Sequence, residues 1–291
     1  MALYTLEEHV NTLRLGPPFP GLGDWIMGLS VARMISLQYP DLKVYMDVTE
    51  MPDTLDRVLS YCDVGIVPVC QGNERAIGFT YVCRNLFYDM KCRHDEHHIC
   101  AMAKMFTHFT GLALTVNVAQ LAYYNGARED ILMDLPETYC VIAASGKYHT
   151  QEVRRLKEYG SENMAQLATL VERDTDIKVV QAPGPSALIR TRLTPSTNLL
   201  ADTTIPQLYA VVKNAAFVIA LENGLSHVAG HTRTPCFTLY MPDTPSRPKH
   251  CSYPTQTAIE LKRRDTSGFA VFEAIRATAA YKTIREKLGR G

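Results

Sequence analysis

Residues Ala220 to Tyr240 read ALENGLSHVAGHTRTPCFTLY. An apolar run from Phe217 to Leu221 stops at Glu222, the pair Asn223-Gly224 breaks it, and Leu225-Ser226-His227 opens a helical pattern. A second apolar run follows at Cys236 to Tyr240. Strand, tight turn, helix and strand in so short a space read as a βα unit of a parallel sheet covered on both faces. The turn also carries a chemistry. Backbone amides at a helix N-terminus, at the positive end of its dipole, favour a phosphate, and a carboxylate on the preceding strand end suits ribose hydroxyls. Asn and Ser at a helix start are equally ordinary caps, so both readings stand here.

The same alternation runs along the chain. Short β-branched or apolar runs lie at Lys43–Val48, Val64–Val69, Tyr139–Ala143 and Ile177–Val180, and helical patterns at Asp24–Gln38, Glu152–Val171, Ile205–Asn214 and Gly224–His231. The class is α/β throughout. A length of 291 residues makes room for two domains of ordinary size. The polar stretch ending in NGAREDILMDLPE divides the chain, giving expected domains of 1–134 and 135–267. Residues 268–291 form a helical stripe (Phe269, Phe272, Ile275, Tyr281, Ile284) expected to pack across both.

A hydrophobic fraction of 46% and a charged fraction of 21% exclude a disordered or fibrous chain. Thirty basic residues against thirty acidic leave no overall field to hold a polyanion or a membrane surface, so any nucleic-acid contact is local, through patches such as Lys262-Arg263-Arg264 or Arg84, Lys91 and Arg93. The opening MALYTLEEHV lacks the basic and apolar regions of an export signal, and no stretch is apolar enough to span a bilayer. A cytoplasmic protein with reduced thiols is the expectation.

ENGLSHVAGHTRTPCFTLYMP follows the pattern DSGxxHxAxxxxxPxxxxxG, and Ala201 to Ala215 (ADTTIPQLYAVVKNA) and Gly21-Leu22-Gly23-Asp24 fit two further motifs of one family at matching spacing. In these segments the chain resembles the heptosyltransferase-like glycosyltransferases of family 9. The resemblance implies a GT-B fold, two Rossmann-like domains with parallel sheets facing across a cleft. It further implies an inverting, metal-independent transfer from a nucleotide diphosphate sugar to an acceptor hydroxyl, without a resident cofactor. Asp24 matches the general base of the family's GD loop. A carboxylate suits that task, because the attacking hydroxyl must lose a proton in an oxocarbenium-like transition state; its local alternative is a helix cap. Ser145, Lys147, Glu222, Asn223, Gly224, Leu225, Ser226 and His227 match the nucleotide-sugar side. Gly23, Trp25, Arg84, Arg93, His94 and His97 fall on the acceptor side, where the acceptor is a saccharide, a lipid A core or a modified DNA base. Glu222 stands where the family has Asp, and Gly146-Lys147-Tyr148-His149 where it has Lys-x-Trp-Pro.

Two readings from other classes compete. One is a GT-B-shaped nucleotide-binding protein that has lost transfer. The other is a zinc-organised interaction module, because Cys92-x-His94-x2-His97-His98-x-Cys100, near Cys83, carries zinc-ligand residue types, although its spacing is that of no common finger. Nicotinamide-dependent chemistry is disfavoured, since Gly21-Leu22-Gly23-Asp24-Trp25-Ile26 has Ile where GxGxxG needs its third glycine. No GxSxG elbow supports a triad hydrolase.

Overall fold

The computed structural model describes residues 12–15, 22–47, 67–69, 77–78, 96–117, 129–143, 159–182, 192–200, 203–242, 248–262 and 267–289. The chain divides into two compact units, 1–126 with 249–251 and 127–248 with 252–291.

In the first unit the described elements are β1 (Thr12–Leu15), α1 (Leu22–Gln38), β2 (Lys43–Asp47), β3 (Val67–Val69), β4 (Ile77–Gly78) and α2 (His98–Thr110). The strands pair in parallel in the order β3-β2-β1-β4. Helix α1 is apolar on nearly every side, and Trp25 to Ala32, Met34 and Ile35 are all buried, as a helix covered on several faces requires. It starts at Leu22, two residues before the sequence-based expectation, so Asp24 lies inside the first turn instead of capping it. Helix α2 packs on α1. It stops at Gly111, whose φ of 72° is a left-handed conformation that glycine adopts without penalty.

The second unit holds a 3-10 turn (Glu129–Asp134), then β5 (Tyr139–Ala143), α3 (Ser161–Thr175), β6 (Lys178–Gln181), β7 (Asn198–Leu199), α4 (Ile205–Asn214), β8 (Phe217–Leu221), α5 (Gly224–Thr232), β9 (Cys236–Tyr240), β10 (Gln256–Glu260), α7 (Gly268–Ala277) and α8 (Ala279–Lys287), while α6 (Pro248–Cys251), between β9 and β10 in the chain, has its last three residues in the first unit. Every strand pairing is parallel, in the order β10-β9-β8-β5-β6-β7. Counted from β5, that is the 3-2-1-4-5-6 order of a doubly wound nucleotide-binding sheet. All residues of β5, β8 and β9 are buried, which is why these strands read as unbroken apolar runs. Helix α3 runs on to Thr175, beyond the expected Val171, until Asp176 turns left-handed and donates its N–H to the Glu172 carbonyl. Residues 152–158 of that expected helix lie outside the described ones. Helix α4 begins with a capping box, in which Thr204 and Gln207 satisfy each other's backbone amides.

The C-terminal stripe is two helices. Extended Thr278 ends α7, and its side chain accepts from the Tyr281 amide to start α8. Both belong to the second unit. A Cβ on Gly268 would lie 2.5 Å from the Asn163 carbonyl, so α7 meets α3 at backbone distance. Tyr281 packs edge-on to Phe217 and Phe272 and donates to Asp174, which also accepts from Arg285.

Candidate active site

Doubly wound sheets bind ligands beyond the carboxyl ends of the strands where the strand order reverses. In the second unit that point lies between β5 and β8, with Ala143 opposite Ala220. Strand β5 leads into residues 144–150, which include Ser145 and Lys147 and lie outside the described residues. Strand β8 leads through Glu222 and Asn223 into α5, so the N-terminus of that helix opens at the carboxyl edge of the sheet.

The turn is built by Asn223. Its Oδ1 accepts from the Leu225 amide at 3.0 Å, and its carbonyl accepts from the Ser226 amide at 3.2 Å and the Ser226 hydroxyl at 2.7 Å. The capping alternative therefore holds for Asn223, and Ser226 braces it from within the helix. No acidic residue occupies the first turn of α5, and the dipole at that end favours an anion. Glu222 and Gly224 are half-buried, while Leu225, Ser226 and His227 are buried.

His227 is hydrogen-bonded at Nδ1 and faces a carboxylate at Nε2. Nδ1 is 2.7 Å from the Tyr253 hydroxyl, and Nε2 is 4.0 Å from Glu222 Oε1. The Tyr253 ring stands edge-on to His227 and His231, against Gly230, where a Cβ would come within 2.4 Å of it. Gln256 Nε2 donates to the Ser226 carbonyl at 2.5 Å, and Gln256 Oε1 accepts from the Tyr253 amide at 3.1 Å. Sequence reasoning passed over Tyr253 and Gln256, which stand 26 and 30 residues from their α5 partners. The one available signal was Gly230, since a glycine inside a short helix often marks a close approach.

In the first unit, Asp24 and Gly23 are half-buried in the first turn of α1. This helix follows β1, which lies beside β4 where that sheet's own order reverses. The helix dipole favours the ionised form of an acid at this place. Trp25 is 1% exposed and belongs to the core of this unit. His97 caps α2, its Nδ1 accepting from the Ile99 amide. Arg84, Arg93 and His94 lie outside the described residues, as do Cys83 and Cys92.

Among the described residues, His97, His98 and Cys100 do not come together as a three-ligand set; His98 Nδ1 instead faces Cys251 Sγ at 3.7 Å within the same unit. Burial pushes the Cys100 thiol up, helped by the Glu96 carboxylate, and burial pushes Cys236 up to about 12. These thiols are protonated at neutral pH.

The sequence profile of glycosyltransferase family 9 (heptosyltransferase) matches residues 60–268. The chain belongs to glycosyltransferase family 9. The match takes in Ala201–Ala215 and the β8–α5–β9 segment and begins after α1, so the role of Asp24 rests on the GD-loop resemblance alone.

Solved structures agree on the fold. E. coli heptosyltransferase WaaC with ADP is 14% identical, with a TM-score of 0.60 over 95% of this chain and 99% of that one. A family 9 glycosyltransferase from Veillonella parvula is 14% identical at a TM-score of 0.62, covering 98% and 99%. E. coli ADP-heptose lps heptosyltransferase II is 17% identical at 0.55, covering 91% and 97%. No curated protein sequence matches the chain. A family 9 member with two Rossmann-like units is a glycosyltransferase of GT-B fold that draws on a nucleotide sugar. Among the described residues, no helix is long and apolar enough to cross a membrane.

Proposed function

We propose that this protein transfers a glycosyl group, with inversion and without a metal ion, from a nucleotide diphosphate sugar to a saccharide hydroxyl. The observation that carries the reading is the capped, acid-free N-terminus of α5, opening where the strand order reverses beside β8. The diphosphate is received by that helix end and by Lys147, with Glu222 on the ribose and Ser145 and Gly224 to His227 completing the donor side. Asp24 takes the proton of the acceptor hydroxyl as its oxygen attacks the anomeric carbon. The bond from that carbon to the diphosphate breaks with its electron pair on phosphate, so the leaving group needs charge stabilisation and no acid. Helix amides and a lysine supply it electrostatically, which is the ground for metal independence. ADP is the first nucleotide to try, because the WaaC structure contains it.

The test is a thermal-shift screen of the purified protein against ADP, UDP, GDP, CMP and their sugars, each with and without EDTA. A ligand at ~100-fold its Kd stabilises the folded state by about 2.7 kcal/mol. The expected result is a nucleotide-selective rise in melting temperature that EDTA leaves intact, followed by transfer from the sugar of that nucleotide. No shift with any nucleotide, combined with destabilisation by EDTA alone, overturns the reading in favour of a metal-organised module.

A further inference from the structure

The short hydrogen bond of the His227 imidazole runs to a residue from the segment before β10. We propose that Tyr253 is a positioning residue that holds His227 in the tautomer with its proton on Nε2, presenting that N–H at the carboxyl end of β8 for the leaving diphosphate. The inference rests on the donor site proposed above.

Two neighbours favour this tautomer. Which ring nitrogen carries the proton is set by what the other one meets. Nε2 faces the Glu222 carboxylate at 4.0 Å, which repels a bare lone pair and favours an N–H there. Nδ1 is then the acceptor, and the Tyr253 hydroxyl, 2.7 Å away, is its donor.

The hydroxyl is also held in place. Tyr253 is 2% exposed, with its ring edge-on to His227 at 5.5 Å and to His231 at 5.9 Å. Gly230 supplies the room, since any Cβ at that position would stand 2.4 Å from the ring. Gln256 exchanges backbone contacts with Tyr253 and ties the same segment to the Ser226 carbonyl. One short segment thus grips the first two turns of α5. Phenylalanine would fill the ring slot as well as tyrosine does, so the hydroxyl serves a polar purpose, and the bond it makes to His227 is 2.7 Å long.

The experiment uses the full chain, with Tyr253→Phe to delete the hydroxyl alone and Gly230→Ala to displace the ring while keeping it. Four readings are taken: the ring nitrogen chemical shifts of His227 by NMR, the melting temperature, the ADP Kd, and the kcat and donor KM of transfer. In Tyr253→Phe the His227 nitrogens should move from a single tautomer towards a mixture. Its kcat should fall on the order of tenfold or more, as when an outer partner of a working histidine is removed. Donor KM should change less than twofold. Gly230→Ala should move the His227 shifts and kcat in the same direction and also lower the melting temperature. Unchanged His227 shifts, or an unchanged kcat, in Tyr253→Phe overturn the proposal. Failure of the proposed function looks different: the unaltered protein then binds no nucleotide and transfers nothing, while the His227 shifts in Tyr253→Phe still decide whether Tyr253 governs the ring.

Discussion

Asp24 and Asn223 occupy the starts of two helices, and the helix dipole acts oppositely through them. At α1 the dipole favours the ionised form of an acid placed in the first turn. At α5 a neutral amide does the capping, so the positive end carries no compensating charge in its first turn, as the proposed diphosphate site requires. Substitutions separate the two uses. Asp24→Ala should keep nucleotide affinity within twofold and lower transfer by about 10²–10⁴, the range for loss of a general base; unimpaired transfer would take Asp24 out of the mechanism. Asn223→Asp keeps the cap, since the two side chains cap equally well, so its melting temperature should hold while its ADP Kd rises. Asn223→Ala should cost about 1 kcal/mol of stability in a denaturant titration. An ADP Kd untouched by the Asp variant would place the phosphate elsewhere. Of these residues, Asn223 was legible in the sequence as a cap. Tyr253 was not, because its partner lies across a loop and no local pattern records such a contact.

The β8–α5–β9 segment came out of the sequence nearly residue for residue. Its strands are buried on both faces, and its Asn223-Gly224 pair marks the turn and caps the helix. The short edge pieces β4 and β7 were invisible, since two residues carry no periodicity. The C-terminal pair was misread as one stripe because Thr278 is not a strong breaker by composition; it acts by capping. The contact of α7 with α3 is tight enough to test. Gly268→Ala places a methyl against backbone atoms that cannot give way, and should cost about 1–3 kcal/mol of stability by denaturant unfolding. Tyr281 adds a pH signature. Burial, with Asp174 beside it, pushes its hydroxyl up to about 12. A raised value in the folded state means that the stabilisation is whole below the ordinary tyrosine pKa of about 10 and is lost as pH climbs towards 12. Stability of Tyr281→Phe relative to the unaltered protein should therefore be flat below about pH 10 and improve across that window; a flat difference throughout would deny the linkage.

The two sheets share one plan, 3-2-1-4 among the described strands of the first and 3-2-1-4-5-6 in the second, and that plan puts each candidate group after a strand at an order reversal. This was legible in outline, because alternating apolar runs and helices admit few arrangements. The acceptor side was not, since nothing in the sequence separates a residue that meets a saccharide from one that meets solvent. Equal numbers of acidic and basic residues bear on that side. A saccharide acceptor predicts that duplex DNA binds weakly and without a steep salt dependence. A log-log slope of several units, measured by fluorescence anisotropy over a salt series, would instead mark a DNA acceptor.

Helices α7 and α8 also tie the second unit to the clock of protein synthesis. The Phe269 amide reaches Gln166 across 103 residues, and Met164, Leu167 and Val171 share one buried cluster with Val271, Phe272 and Ile275. At ~5–20 residues per second, a ribosome leaves that face of α3 bare for roughly 5–20 s before its cover emerges. The nascent chain therefore carries bare apolar surface for that interval, and slowed translation after α3 would lengthen its exposure to aggregation while leaving the finished protein unchanged.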